Sequence, residues 1–475
     1  MTINFENSFK TLPKFLWEEV KPTPILNPKL IHITKLKNDL GINLSDEDLK
    51  LWLNGEKFLE GEQRIATRYA GHQFGVWAGQ LGDGRAISMG EINTPNLGRQ
   101  EIQTKGSGKT PFSRMGDGKA VIRSSVREYL ASEAMAALSI PTTRVLALLT
   151  GDDKVYRETI EKSAIVARVF PSNLRFGHFE MCFHFKKTTE LDALIHYAQS
   201  TFFPGMSMEE MLADIISKTA KLMAQWQGVG FCHGVMNSDN MSLLSLTLDY
   251  GPYGFLEDTD FNYICNHTDQ QGRYAYGQQP SIGMWNLERL LICFMNHFPK
   301  EKLQELLNVY PQEFEKEYLK IARLKLGLEL KQEQDYQLWA NLLKVMDQLK
   351  LDYTYLFRQL SSYQKSNKES LQGIWDYYGN RQELIDWLKI YDERLNLESI
   401  SDEERSLLMK TVNPKYVLKN YIAQEVIAEV EEGKDLKLNS WLNILYSPFE
   451  EHPDFHSYSG PTPSEHKHYE VSCSS

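Results

Sequence analysis

Residues 233–251, HGVMNSDNMSLLSLTLDYG, combine a polar turn with an apolar run and decide how the rest of the chain is interpreted. Gly, Asn, Ser and Asp favour turns, so 234–239 is predicted to be a loop. The apolar run from Leu243 to Leu248 predicts a short buried hairpin with Asp249 at its end. Asp239 and Asn240 are therefore expected on a loop that lies close to Asp249.

The spacing of these polar residues is typical of a nucleotide–metal site of the protein-kinase type. In the kinase pattern HRDxxxxN, the Asp is the catalytic base and the Asn binds metal. Relative to His233, Asn240 holds the place of that Asn, but Val235 holds the place of the base. Asp239 is the only nearby replacement. An ordinary protein kinase is therefore disfavoured, and a simple turn whose Asx side chains bond to the backbone remains the alternative.

Length and composition indicate a globular protein with two or three lobes. The chain has 475 residues, of which 42% are hydrophobic and 24% are charged, with a formal net charge of −11. That charge argues against a general nucleic-acid binder and against an anionic membrane surface. No apolar run approaches the ~18 residues of a membrane span, and the start lacks a signal-peptide pattern. Five scattered cysteines do not form a secreted disulfide scaffold. A cytoplasmic protein is expected.

The distribution of Gly, β-forming residues and helical periodicity predicts four segments. Residues 1–64 are expected to form an arm that includes a short helix at about 46–53. Residues 65–185 are rich in Gly and β-formers, and residues 186–435 have helical apolar spacing, as in 208–226 and 283–297. Residues 436–475 resemble an unpacked Pro/His/Ser tail. The predicted fold class is α+β, with a β-rich N-lobe, a mainly helical C-lobe and a cleft between them.

The stretch 78–92, AGQLGDGRAISMGEI, predicts a glycine-rich turn followed by a strand. Gly82 and Gly84 allow backbone N–H groups to approach phosphates, and Arg85 offers a planar fork to phosphate oxygens. Taken alone, the motif favours the alternative, an Asp-Gly hairpin turn.

Lys105 ends a predicted strand at 99–105, and Glu128 lies on a predicted amphipathic helix. The two are expected to pair, as a kinase strand Lys pairs with its helix Glu. Ser124 or Ser125 is predicted to cap that helix, and the alternative for Glu128 is the carboxylate of a capping box. Strand Lys, helix Glu, HG…DN and DYG follow one another in the kinase order.

Arg168 and Arg175 are predicted to lie on a loop between the lobes, because Pro171 makes one continuous helix through both unfavourable. Two arginines beside a nucleotide would clamp phosphate oxygens. As isolated features they are more often surface charges.

The chain resembles the selenoprotein O family, which are protein adenylyltransferases with a pseudokinase fold. The resemblance spans nearly the whole chain and is carried by these segments: RYAGHQFGVWAGQLGDGRA, KGSGKTPFSRMGDGKAVIRSSVREYLASEAM, RVFPSNLRFGHFE, HGVMNSDNMSLLSLTLDYGPYGF and VSCSS. It implies that ATP is flipped relative to ordinary kinases, so that AMP moves to Ser, Thr or Tyr hydroxyls of proteins, including the enzyme itself. UTP is a second candidate donor.

The resemblance also implies a role for each matching residue. Asp239 would be the proton acceptor, Asn240 and Asp249 would bind Mg²⁺ or Mn²⁺, and Glu128 would orient Lys105. Arg168 and Arg175 would hold the phosphates of ATP. The remaining ATP contacts would be Gly82, Gly84, Arg85, Lys105, Asp117 and Gly118. An ATP-dependent phosphotransferase and a non-catalytic nucleotide-binding scaffold are the alternatives.

Cys473 occupies the position of the family's selenocysteine, so this chain uses sulfur there. The resemblance implies a disulfide between Cys265 and Cys473 with an effect on activity. The alternative is a buried Cys265 and a free terminal thiol. His466 and His468 beside the thiol make a poor closed metal site, and a solvated tail is the preferred interpretation.

Overall fold

The first part of the chain forms one antiparallel sheet with helices against it. The structure is a computed structural model, and it describes residues 5–467, Tyr469 and Val471. The elements of this part are β1 (Trp17–Glu19), β2 (Lys29–Ile33), α1 (Leu36–Asp39), α2 (Asp46–Asn54), β3 (Ile65–Thr67), β4 (Ala70–Gln73), β5 (Val76–Gln80), β6 (Ala86–Thr94), β7 (Gly98–Lys105), β8 (Ala120–Val121), α3 (Ile122–Ala137), β9 (Arg144–Tyr156) and β10 (Ile160–Phe170).

The strand order of the main sheet is β1-β3-β6-β7-β10-β9-β2, with β8 paired to β10, and every pair is antiparallel. β4 and β5 form a separate hairpin. β7 and β10 are neighbours in register, with Lys105 opposite Val166 and Gln103 opposite Arg168. The sheet thereby carries Lys105 and Arg168 side by side.

The rest of the chain is mainly helical. Its elements are α4 (Phe176–His184), α5 (Thr188–Phe202), α6 (Met208–Gly228), β11 (Phe231–Cys232), β12 (Gly254–Phe255), α7 (Gln279–Ile292), α8 (Lys300–Leu307), α9 (Tyr310–Lys325), α10 (Asp335–Leu349), α11 (Tyr353–Leu360), α12 (Gln372–Tyr378), α13 (Gln382–Leu395), α14 (Asp402–Lys410), α15 (Asn420–Glu431) and α16 (Leu436–Tyr446). Within the described residues, no helix combines the length and apolar character needed to cross a membrane.

The long helix α6 illustrates how the helical part is specified. Ser207 accepts a hydrogen bond from the backbone of Glu210, whose side chain accepts one from Ser207, which is a capping box. Apolar residues at helical spacing, including Leu212, Ile215 and Leu222, are buried in the largest core cluster. The predicted α+β class, with a β-rich first region and a helical second region, is confirmed.

Three details differ from the sequence prediction. The arm at 1–64 is not separate from the sheet, because β1 and β2 form its two edges. α3 begins at Ile122, so Ser124 and Ser125 lie inside its first turn, and neither is the N-cap. The second helix predicted at 283–297 is α7, which starts at Gln279 and ends at Ile292.

The interpretation of 436–475 as an unpacked tail is wrong for its described part. The segment begins with α16, whose Trp441, Leu442 and Leu445 are buried because they lie at helical spacing on one face. Further on, the His466 ring stacks on Tyr421 with a centroid distance of 5.2 Å. His468 and Cys473 lie outside the described residues.

Candidate active site

A cavity of about 750 Å³ lies where the sheet meets the helical region. This volume is in the range of pockets that bind small molecules and cofactors. Glu128 lies behind the cavity wall, and all other predicted nucleotide, metal and base residues line it: Gly82, Gly84, Arg85, Lys105, Asp117, Gly118, Arg168, Arg175, Asp239, Asn240 and Asp249. The fold therefore gathers the predicted set around one space.

Lys105 and Glu128 form an ion pair at the back of this cavity. The Lys105 Nζ donates to Glu128 Oε2 at 2.6 Å, while the other carboxylate oxygen accepts from Arg168 Nε. Burial, reinforced by Arg168, lowers the pKa of Lys105 to about 8. Burial opposes ionisation of Glu128, but Arg168 and Lys105 hold its pKa below the usual value. Glu128 thus fixes two cations and does not serve as a helix cap.

Arg168 and Arg175 are buried and are not surface charges. The prediction of a loop is wrong for Arg168, which is inside β10, and it is confirmed for Arg175, which ends the segment between β10 and α4 as the N-cap residue of that helix. Pro171 does separate them, because it ends the strand segment before the helix starts. Both side chains point to one carboxylate. Arg168 Nη2 donates to Asp249 Oδ1 at 2.7 Å, and Arg175 Nη1 donates to Asp249 Oδ2.

Asp249 is held in an ionised state by this arrangement. Burial opposes its ionisation, but Arg175, Arg168 and Lys105 together keep its pKa well below the usual range. Its backbone has φ of 55°, a left-handed conformation that is uncommon for residues other than Gly. His233 stabilises Leu248, the residue before Asp249, because the His233 Nε2 lies 2.8 Å from the carbonyl oxygen of Leu248. The short hairpin predicted before Asp249 is present as an antiparallel bridge between Met241 and Thr247.

Asp239 lies on a short 3₁₀ helix, Ser238–Asn240, and only 6% of its surface is exposed. Burial raises its pKa to about 7, against the opposing charge of Arg175. Within the described part of the chain, its Oδ1 has no hydrogen-bond partner. Gly71 and Gly177 pack against it, and a Cβ atom on Gly71 would come within 2.9 Å of Oδ1. A carboxylate with a pKa near neutrality is suited to accept a proton.

Asn240 follows Asp239 and lines the same cavity as Asp249. Its side-chain Nδ2 donates to the carbonyl oxygen of Val235 at 3.1 Å, which leaves the amide oxygen as the available ligand. One amide oxygen and one carboxylate are hard donors of the kind that Mg²⁺ and Mn²⁺ prefer. The two side chains therefore fit the predicted metal.

The glycine-rich turn is not a hairpin, so the alternative favoured for this motif alone is wrong. β5 pairs with β4, whereas β6 pairs with β3 and β7, and residues 81–85 connect the two sheets. Gly82 has φ of 135°, and a Cβ atom there would lie 2.7 Å from the Phe112 ring. Asp83 fixes the loop, because its Oδ2 accepts hydrogen bonds from the backbone N–H and hydroxyl of Thr67. The loop packs against Phe112 and Ser113, and the Ser113 hydroxyl donates to the carbonyl oxygen of Gly84.

The sequence does not predict four of the charged residues that line the cavity: Asp83, Arg114, Lys119 and Arg157. In the sequence, Asp83 is interpreted only as part of a turn, although a carboxylate between two glycines could have indicated a residue that fixes the loop. Arg157 had no signal, because it lies at the turn between β9 and β10, far from any motif. Arg157 forms a two-pronged ion pair with Asp117, with distances of 2.8 and 3.0 Å, and this pair lowers the pKa of Asp117.

The predicted thiol partner Cys265 is buried, and its Sγ is 3.3 Å from Cys232 Sγ. Burial raises the pKa of Cys265 well above the usual value. The other partner, Cys473, lies outside the described residues, so the predicted bond is not tested. The nearest described residue, Val471, is buried, and its carbonyl oxygen accepts a hydrogen bond from His267 N–H at 2.9 Å.

The matches to known proteins include one family model and one relative that aligns over almost its whole length. The family model described as protein adenylyltransferase SelO matches residues 1–445. The protein nucleotidyltransferase YdiU of Herminiimonas arsenicoxydans is 42% identical over 484 aligned residues, which cover 99% of this chain and 96% of that protein.

Proposed function

The chain belongs to the SelO family of protein adenylyltransferases, and on this basis we propose that it transfers AMP from ATP to hydroxyl groups of proteins. The enzyme is a nucleotidyltransferase, and its own hydroxyl side chains are among the acceptors. The observation that supports the proposal best is the environment of Asp239. This buried carboxylate lies beside Asn240 and in the same cavity as Lys105 and Asp249, while Val235 takes the place of the kinase base.

The nucleotide phosphates are bound by cations that surround a single carboxylate in the structure. Lys105, Arg168 and Arg175 surround Asp249, so the cavity holds three positive groups around one carboxylate. When phosphates enter, the arginines exchange that carboxylate for phosphate oxygens, with which a guanidinium forms strong paired hydrogen bonds. Arg85, Gly82, Gly84, Asp117 and Gly118 contact the remainder of ATP, which lies flipped relative to a kinase nucleotide.

Asn240 and Asp249 would hold the divalent ion, Mg²⁺ or Mn²⁺. When bound, the ion supplies positive charge that stabilises the phosphate oxygens during transfer. Asp249 is freed for this role when Arg168 and Arg175 turn to the phosphates. His233 keeps the Asp249 backbone in place through the Leu248 carbonyl.

Asp239 removes the proton in the transfer step. The acceptor hydroxyl oxygen forms a bond to the α-phosphorus of ATP, and the bond between that phosphorus and the pyrophosphate oxygen breaks. The hydroxyl proton passes to the Asp239 carboxylate, and pyrophosphate leaves with the electron pair of the broken bond. The products are an AMP-modified side chain and pyrophosphate.

Pyrophosphate release tests this function. With ATP and a divalent ion, we expect pyrophosphate to appear together with protein-bound AMP. Lys105→Ala should slow both by roughly 10²-fold, because one charge that stabilises the phosphates is lost. Lys154→Ala, on an exposed position of β9, is the matched control and should have no effect. Formation of ADP without pyrophosphate would contradict the proposal.

We further propose that Cys265 and Cys473 form a regulatory disulfide. The bond between His267 and Val471 supports it, because it brings the chain two residues before Cys473 to a segment two residues after Cys265. Two thiols would lose two electrons and two protons to an oxidant such as oxidised glutathione. Cys232, whose Sγ is close to that of Cys265, is the competing partner.

Peptide mapping without reductant separates these pairs. After treatment with oxidised glutathione, we expect a linked peptide that contains Cys265 and Cys473, and a change in the rate of AMP transfer when reductant is added. The link should persist in Cys232→Ser and be lost in Cys265→Ser. Cys293→Ser, a buried cysteine elsewhere, is the control. Free thiols at both positions, or a Cys232–Cys265 link alone, would end the proposal.

A further inference from the structure

Three side chains with metal-binding chemistry meet outside the cavity described above. His72 lies on β4, and Glu180 and His184 lie one turn apart on α4. One donor atom from each side chain lies within 4.8 Å of the donor atoms of the other two. His72 Nδ1 is 2.5 Å from Glu180 Oε2. A strand of one hairpin and a helix 108 residues further along thus share one cluster.

The carboxylate of this cluster is an unusual buried group. Glu180 is fully buried, with 0% exposure, and its Oε1 lacks a hydrogen-bond partner among the described residues. A buried charged oxygen without a partner is costly, and coordination of a cation removes that cost. This second observation points to a ligand independently of the distances.

Two tryptophans surround the cluster. The His184 ring lies 4.0 Å from the Trp77 ring, and His72 lies 5.1 Å from Trp77 and 5.4 Å from Trp285, centroid to centroid. Such an apolar shell limits water and holds the imidazoles in place. His184 is exposed, so solvent reaches one side of the cluster. Two cations flank this shell: Arg273 lies 4.6 Å from the Trp285 ring, and Arg289 lies 5.1 Å from it and pairs with Glu288 at 2.8 Å.

We propose that His72, Glu180 and His184 form a second metal site, for Zn²⁺ or a similar transition-metal ion. Two imidazole nitrogens and one carboxylate oxygen suit Zn²⁺, with water at the open fourth position. Mg²⁺ prefers oxygen ligands alone, so this site differs in metal preference from Asn240 and Asp249.

The position of the site links it to the catalytic loop. The His72 backbone N–H donates to Ser238 Oγ at 2.7 Å, and the neighbouring Gly71 packs on Asp239. A bound ion would tie β4 to α4 directly behind the proposed base. His72, Glu180 and His184 are therefore positioning residues for the loop, in addition to metal ligands.

Co²⁺ is a suitable probe, because it occupies Zn²⁺ sites and gives visible absorption bands. Metal-free full-length protein that carries Asp249→Asn, which removes the only carboxylate of the proposed metal pair at the nucleotide site, is titrated with Co²⁺. We expect one saturable site, with the bands of a four-coordinate ion and quenching of tryptophan fluorescence from Trp77 and Trp285. Zn²⁺ should displace Co²⁺, since it binds such ligands more tightly.

Matched variants in that background decide the assignment. His184→Ala should weaken Co²⁺ binding by about 100-fold or more, since changes even in groups that only support metal ligands cost 10–100-fold. His196→Ala, an exposed histidine on α5, is the control and should bind as the parent does. Glu180→Gln should bind Co²⁺ as weakly as His184→Ala does. If Glu180→Gln fails to fold, His184→Ala still tests the site, because His184 is exposed. No saturable site, or equal binding by His184→Ala and His196→Ala, would overturn the proposal.

Discussion

Asp249→Ala is expected to reduce AMP transfer by about 10³-fold and to abolish the dependence of ATP binding on Mg²⁺ or Mn²⁺. Asp249 is the only carboxylate of the proposed metal pair, and such electrostatic groups account for about 10²–10³ in rate. The variant also removes the carboxylate to which Arg168 and Arg175 donate, so that these donors are available to phosphate oxygens. Metal-free ATP should therefore bind at least as tightly as it does to the parent.

Isothermal titration with and without the divalent ion, together with transfer rates, measures both effects. Because two buried arginines each lose one of their partners, the folded state of Asp249→Ala is checked by its Tm. Asp249→Asn keeps the shape and an oxygen acceptor, and it is the second variant. Transfer that still responds to the divalent ion in a folded Asp249→Ala would remove Asp249 from the metal site.

Asp239→Asn or Asp239→Ala should abolish transfer but leave ATP affinity nearly unchanged. A base acts on the acceptor hydroxyl and not on the nucleotide, and its removal costs about 10²–10⁴ in rate. Asn has the same shape without the charge, so the packing against Gly71 and Gly177 is preserved. Nucleotide binding and the single-turnover transfer rate separate the two effects. Transfer at the parent rate would show that the hydroxyl reacts without Asp239.

The pH profile gives an independent check on the same residue. Burial raises the pKa of Asp239 to about 7. A raised pKa means that the carboxyl is protonated, and inactive as a base, below that pH. In the parent, kcat/KM should therefore fall about tenfold for each pH unit below 7 and level off between pH 7 and pH 8, where Lys105 begins to lose its charge. A profile that is flat from pH 5 to 8 would contradict the assignment.

The local order of residues was sufficient to predict part of the site. Lys105 at the end of a strand and Glu128 on the next helix pair as expected, because both positions follow from local periodicity. Asp239 was found by comparison with the kinase spacing, and it lies in the cavity with Asn240 and Asp249. These residues belong to short segments whose geometry is set by nearby sequence.

The remaining features depend on contacts between distant segments. Arg168 was placed on a loop but lies in β10, because pairing with β7 extends that strand to Phe170. The packing of α16 depends on contacts with α3 and α15, which a local pattern does not reveal. The cluster of His72 with Glu180 and His184 has no sequence motif, since the fold alone brings β4 to α4.

The most direct test of AMP transfer uses ATP labelled at either the α- or the γ-phosphate. The purified protein is incubated with each label and a divalent ion, and protein-bound label is measured, with Asp249→Ala as the inactive control. If the nucleotide is flipped and AMP is transferred, the α-label reaches hydroxyl side chains of the protein and the γ-label is recovered only in pyrophosphate. Protein labelled from the γ-phosphate alone would contradict the account and identify a phosphotransferase.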